Sequence, residues 1–319
     1  MATTVPDARW DCRQCSLCCR MLALGPVRPE RIERMQALGV GELVEGSWFR
    51  IDGRGAWLAQ RDGACVFLRQ DGLCSVHVEH GAEAKPVFCR TFPFHIVHHE
   101  GGPSVALRED CGGLAHGETA LVEQLDTVPA DAYTHAFQGP VEALPGVGVS
   151  ADDWLALEPR LLAAIQDRPW RENVAALRGV LFGALRRQPP VADPDVADAA
   201  TRAVRDALAG MLGGRVRGEG WVDGFLDRVE ADLAGGEPAP DDPYLAGVLR
   251  QQLVGKRVTR HGGVPGWLGV YALLAALAER SPAPTAAAHV RLSRLALHPL
   301  FGDLERRARE PIRALYLTS

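Results

Sequence analysis

All eight cysteines of this 319-residue chain, Cys12, Cys15, Cys18, Cys19, Cys65, Cys74, Cys89 and Cys111, fall before residue 112. Such segregation marks an N-terminal module with its own chemistry. An even, clustered set of thiols is held together by disulfides or by metal. The opening residues Met1 to Asp7 show neither a basic start nor an apolar signal core, so a reducing, cytoplasmic setting is expected. Disulfides rarely persist there. The spacing also favours metal. Cys12, Cys15, Cys18 and Cys19 stand as C-x2-C-x2-C-C, and a two-residue gap lets a tight turn aim two thiolates at one ion. Adjacent Cys18 and Cys19 point apart in most backbones, which suits two centres or two irons of one cluster.

The kind of metal stays open at this level. Zinc takes four ligands, often from two C-x2-C knuckles. Here one short run supplies three or four thiols and Cys65, Cys74, Cys89 and Cys111 arrive singly. A compact C-x2-C-x2-C with a remote fourth cysteine is also how bacterial iron–sulfur clusters are held. Eight thiolates could fill two tetrahedral sites, or one cluster and one structural ion.

The surrounding pattern predicts an α+β protein. Short strands are expected at 48–52 and 56–59 around Gly53-Arg54-Gly55. Two more should lie at 64–68 and 73–76 around Asp71-Gly72, and two at 94–98 and 104–108 around Glu100 to Pro103. Helical pieces are expected at 29–38 and 85–89. From Asp152 the apolar period becomes helical, with candidates at 152–166, 171–187, 194–212, 220–233, 243–253, 266–280, 285–297 and 304–317. The expected organisation is a cysteine-cluster metal-binding module at 1–115, a connector at 116–150 with one short helix, and an α-helical domain at 151–319.

In their order, these motifs resemble the YkgJ-type CxxCxxCC cysteine-cluster family of zinc- or iron-chelating proteins. Cys12 to Cys19 is followed by Cys65-Val66-Phe67-Leu68, then Gly72-Leu73-Cys74-Ser75-Val76-His77, then Lys85-Pro86-Val87-Phe88-Cys89-Arg90-Thr91-Phe92-Pro93, then Asp110-Cys111-Gly112-Gly113. His77 replaces the family's usual tyrosine and Lys85 its arginine. The resemblance covers about residues 10–115 and implies that all eight cysteines belong to the metal site. Some members are flagellin lysine-N-methylases with a helical part after the cysteine part. That similarity implies an iron–sulfur cluster of the 4Fe–4S type, S-adenosylmethionine as methyl donor, and a protein or peptide substrate.

Other residues could support such a site. Arg90 directly follows Cys89, where a guanidinium would offset thiolate charge. Phe92, Pro93 and Phe94 could shield the centre or simply fill core. Of His77, His80, His95, His98, His99 and His116, His77 is the best placed to add a nitrogen ligand.

Several classes are excluded or unsupported. A net charge of −5 argues against a nucleic-acid binder held by bulk positive charge. The longest apolar run, near 262–278, is interrupted by glycines and Pro265 and falls short of the roughly 20 residues of a spanning helix, so no membrane partner is expected. No G-x-G-x-x-G follows a strand and no P-loop occurs, so an ordinary nucleotide-fold methyltransferase is not indicated. Of the 35 basic residues only Lys85 and Lys256 are lysines, a bias of composition before it is one of function. Three readings follow: a metal-dependent protein-modifying enzyme, a metal carrier or sensor, and a structural zinc module on a helical interaction domain.

Overall fold

The computed structural model describes residues 3–20, 24–53, 55–115, 117–191, 193–214, 220–234, 236, 242–259, 263–296 and 299–318. Arg54 and His116 lie outside them. The architecture is α+β, with short strands in the N-terminal region and a mostly helical remainder.

Helix α1 (Pro29–Ala37) starts at a proline, whose missing N–H costs nothing in a first turn. Strands β1 (Phe49–Asp52) and β2 (Gly55–Leu58) form the first expected hairpin, with Phe49 opposite Leu58. A second hairpin, β3 (Gln60–Arg61) with β4 (Ala64–Cys65), turns at Asp62 and Gly63, both at positive φ. Asp62-Gly63 is the same turn dipeptide as Asp71-Gly72, on which the second expected hairpin rests. At that second turn, pairing is limited to the bridge between Leu68 and Cys74. The strand expected at 73–76 instead gives way to helix α2 (Ser75–His80). In a strand Val76 and Val78 would share a face; here Val76 is buried and Val78 exposed.

Helix α3 (Val87–Thr91) carries Cys89. Strands β5 (Phe94–His99) and β6 (Gly102–Leu107) form the third expected hairpin, with Phe94 opposite Leu107. The connector holds more strand than expected. β7 (Thr134–Ala136) runs parallel to β5, and β8 (Val141–Leu144) pairs with β9 (Val147–Val149). Three or four residues are too few to display a period, so these strands were read as connector.

Helices α4 (Ala151–Ala164), α5 (Trp170–Ala184), α6 (Pro194–Gly213), α7 (Gly220–Leu233), α8 (Pro243–Val254), α9 (Val264–Glu279) and α10 (Thr285–Leu295) match the expected segments. The last segment, expected as one helix, is two: α11 (Pro299–Arg307) and α12 (Arg309–Thr318). Pro311 explains the break, since its ring nitrogen cannot donate to Arg307. Ser150, Asp193 and Asp242 cap α4, α6 and α8 by accepting from backbone N–H groups of their first turns.

Helix α9 is the axis of the helical layer. It is buried all round, which its continuous apolar composition dictates. At Gly269 the backbone of α12 comes so close that a Cβ would overlap the Ile312 carbonyl, so only glycine permits this crossing. No helix among the described residues is long and apolar enough to cross a membrane.

Two further apolar clusters lie outside the helical core. One, built on Met35, Val40, Trp48, Phe67 and Val76, surrounds several cysteines. The other joins hairpin β5–β6 to Trp10 and Leu121. Hairpin β5–β6 also docks on the helices. The β6 amide of Leu107 donates to Gln251 Oε1 of α8 at 2.6 Å. Lys256 Nζ reaches Ser104 Oγ at 3.2 Å and Glu158 Oε1 at 2.9 Å.

Candidate metal centre

The first cysteine run is an extended loop closed by a 3-10 turn at Leu17–Arg20. Gln14 and Ser16 adopt positive φ, and Ser16 Oγ donates to the Gly72 carbonyl at 3.1 Å. That bond ties the loop to the turn that precedes Cys74. Cys65 arrives on β4, Cys74 at the N-cap of α2 and Cys89 on α3.

These elements bring Cys18, Cys19, Cys65, Cys74 and Cys89 to the wall of one cavity of about 280 Å³. The Cys18 and Cys19 sulfurs are 4.0 Å apart. Among the described residues no three Cys, His, Asp or Glu side chains meet closely enough to hold an ion as placed; the five thiols share the wall of one space. The donor set nonetheless fits a soft or borderline metal, because thiolates are the ligands that zinc and iron–sulfur centres take. Lys85, Arg108 and Arg294 share the wall. Thiolates around a divalent ion or a cluster leave net negative charge, and these three cations face it. The remaining wall is apolar, with Leu24, Leu58, Phe67 and Phe92 among it, which keeps the dielectric low.

The other three cysteines stand apart from this cavity. Cys111 is buried and receives the Trp10 indole N–H at 3.4 Å. Cys15 lines a neighbouring cleft beside Gly112, where a Cβ would sit 3.6 Å from the Cys15 sulfur. Gly113 packs against the Asp11 carbonyl with no room for a side chain. The Asp110-Cys111-Gly112-Gly113 motif is therefore the seam that joins Cys111 to the first loop. Cys12 is exposed and lines neither space.

The thiols differ in acidity. The Cys19 S–H and the nearby Lys85 ammonium draw Cys18 down to about 6, while Cys19, as the donor of that pair, is pushed up. Burial pushes Cys65 up to about 12, Cys111 up to about 11, and Cys89 well above the ordinary thiol range. Cys18 is thus drawn toward its thiolate form, and metal binding by Cys19, Cys65 or Cys89 must expel a proton.

The supporting residues sort differently from expectation. His77 is exposed on α2 and lines no part of the cavity. Arg90 points away from the thiols. Its Nη1 donates to Glu83 and its Nη2 to Asp131 at 2.6–3.0 Å, locking α3 to its flanking loops. Phe92 does line the cavity, under the Arg108 guanidinium, whereas Phe94 is core against Trp10. His95 bonds the Gly255 carbonyl and stacks on His135, and His99 bonds Ser104, so both are committed elsewhere.

Two contributors escaped sequence reasoning. Arg108 pairs with the buried Asp110 carboxylate through two bonds of 2.8–2.9 Å. Arg294 of α10 donates to the Asp110 carbonyl at 2.9 Å. Lys85 had a signal, since it occupies the basic position before Pro86. Arg294 had none, being far from any cysteine in the chain.

Comparison with known proteins agrees with the motif reading. Residues 11–112 match the CxxCxxCC family profile, described as "Putative zinc- or iron-chelating domain". On that match this is a metal-binding cysteine cluster, and the resemblance read from its motifs is borne out over those residues. An uncharacterised protein of Methanocaldococcus jannaschii is 28% identical over 88 residues, which cover 27% of this chain and 32% of that protein. The match therefore spans about a third of that relative's length. No solved structure matches the chain.

Proposed function

We propose that the thiol cavity houses a centre of more than one metal ion, iron–sulfur in kind, with Cys18, Cys19, Cys65, Cys74 and Cys89 as its nearest ligands. One observation carries this reading: the five thiols line one cavity of about 280 Å³, and among the described residues no three candidate ligands close on a single ion. A single tetrahedral zinc holds its sulfurs about 3.8 Å apart, from bonds of roughly 2.3 Å, and leaves no interior space. A cluster fills the space between its ligands and leaves the net negative charge that Lys85, Arg108 and Arg294 face. Eight free thiols also suit a reducing compartment, the cytoplasm.

A second reading, one closed zinc ion, draws on the 4.0 Å between the Cys18 and Cys19 sulfurs, close to the spacing of two thiolates on one ion. Anaerobic purification with metal and acid-labile sulfide analysis separates the two. Iron with sulfide supports the cluster. One equivalent of zinc without sulfide overturns it in favour of the structural ion, and exchangeable, substoichiometric metal overturns it in favour of a carrier.

The reaction proposed for such a centre rests on the family resemblance alone: methyl transfer from S-adenosylmethionine to a lysine of a protein substrate. Calorimetric titration of S-adenosylmethionine into the metal-replete protein is its test. No heat of binding at millimolar donor would leave a metal protein without that activity.

A further inference from the structure

Beside the thiol cavity lies a second, larger cleft of about 600 Å³. It opens between the Cys15 loop, the Asp62–Gly63 turn, α7 and α10. Five arginines from these separate elements line it: Arg13 and Arg20 from the loop, Arg228 from α7, and Arg291 and Arg294 from α10. Asp62 is the single acidic residue of the wall among the described residues.

Arginine is abundant throughout this chain, so number alone decides little. Arg294 does decide something. It is 4% exposed, and it lines both this cleft and the thiol cavity. Its Nη2 is used by the Asp110 carbonyl, while its Nε is buried with no hydrogen-bond partner. Asp110 and the neighbouring thiols offset part of the cost of burying this charge, while its Nε proton still lacks an acceptor. Arg291 is held in place differently, with its Nε and Nη2 both 2.7 Å from the Asp232 carboxylate. The rest of the wall includes Leu17, Phe225 and Val290, an apolar surface of the kind that seats the body of an organic ligand.

We propose that this cleft binds a small organic anion, its carboxylate or phosphate head on the arginines with Arg294 as buried anchor, and its apolar body against α7 and α10. Guanidinium forks match both head groups in geometry and charge. The proposal is independent of which metal the neighbouring thiols hold.

The test is calorimetric titration of the full-length, metal-replete protein with phenyl phosphate, 3-phenylpropionate and the neutral 3-phenylpropanol. At least one anion should saturate, about tenfold or more tighter than the alcohol, a gap of about 1.4 kcal/mol. The tighter anion identifies the head group. Arg20→Gln and Arg228→Gln should each weaken it about threefold with metal content unchanged, and Arg294→Met about tenfold or more. Should Arg294→Met fail to fold, the other two variants carry the test. Absence of binding by both anions up to about 10 mM, equal binding of the alcohol, or unaltered affinity in Arg20→Gln and Arg228→Gln would overturn the proposal.

Discussion

Glu158→Gln tests how the N-terminal hairpin is joined to the helices. Lys256 and Glu158 form a buried pair with side chains only 1% and 7% exposed. Lys256 Nζ donates to Glu158 Oε1 at 2.9 Å, to the Val254 carbonyl at 3.1 Å and to Ser104 Oγ at 3.2 Å, which uses all three of its protons. Glu158 Oε2 also lies 2.7 Å from Nζ. Burial raises the Glu158 carboxyl and lowers the Lys256 ammonium, so each leans toward its neutral form and the partner opposes that drift. The glutamine is nearly isosteric but leaves the ammonium without a counter-charge. Breaking a buried pair from one side costs about 3–5 kcal/mol. In a chain of this size that is a fall in Tm of roughly 4–8 °C. Urea unfolding and thermal melts followed by circular dichroism read the two quantities, and native-state hydrogen exchange locates the loss. Adding Lys256→Met to Glu158→Gln removes the stranded charge, and most of the loss should be recovered, to within about 2 kcal/mol of the parent. A loss below about 1 kcal/mol in the single variant, or a double variant no better than the single one, would refute the reasoning.

Three other outcomes follow from the structure. Arg90→Met should lower stability by about 1–2 kcal/mol, because Glu83 and Asp131 are largely exposed and rehydrate, while metal stoichiometry by elemental analysis stays at the parent value. His289 is buried beside Tyr244, and desolvation lowers it to about 4, partly countered by Glu109. The unfolded chain protonates near pH 6.5 and the folded one does not, so stability present above pH 6.5 is lost as pH falls toward 4, by on the order of 3 kcal/mol; His289→Gln should flatten that part of the pH–stability curve, and an unchanged slope would contradict the assignment. Stripping metal with a chelator under reducing conditions should expose amides in 11–91 to hydrogen exchange while β5 and β6, held by Gln251 and Lys256, exchange with the helices; uniform loss through β6 would show that the hairpin follows the metal.

What could be read in the chain before its fold depended on the distance over which each signal acts. Helix periods and proline or glycine stops are local, so α4 to α10 fell close to their expected bounds. The Cys12 to Cys19 run is local too, and its chemistry was legible at once. Errors arose where a segment was too short to show a period, as in β7, β8 and β9, or where one turn dipeptide was read and its twin at Asp62-Gly63 was not. The strand expected at 73–76 failed because Leu73-Cys74-Ser75-Val76 is too short to show a strand period and fits one turn of helix equally well.

The supporting shell of the site was legible only in part, for a related reason. Adjacency in sequence suggested Arg90 and His77, because each stands one to three residues from a cysteine. On a helix, however, neighbouring side chains diverge by about 100°, so Arg90 leaves the wall that Cys89 joins and is claimed by Glu83 and Asp131. The cations that do face the thiols come from Lys85, two positions before α3, from Arg108 at the end of β6, and from Arg294 on α10. Arg294 has no cysteine, glycine or proline motif around it, and its stripe of the helix reads as core. Its role follows from α10 crossing the Asp110 carbonyl, a contact 184 residues apart in sequence. Only a packed structure could bring that charge to the cavity, and its burial between the thiol cavity and the arginine-lined cleft is what distinguishes it from the many arginines that composition alone supplies.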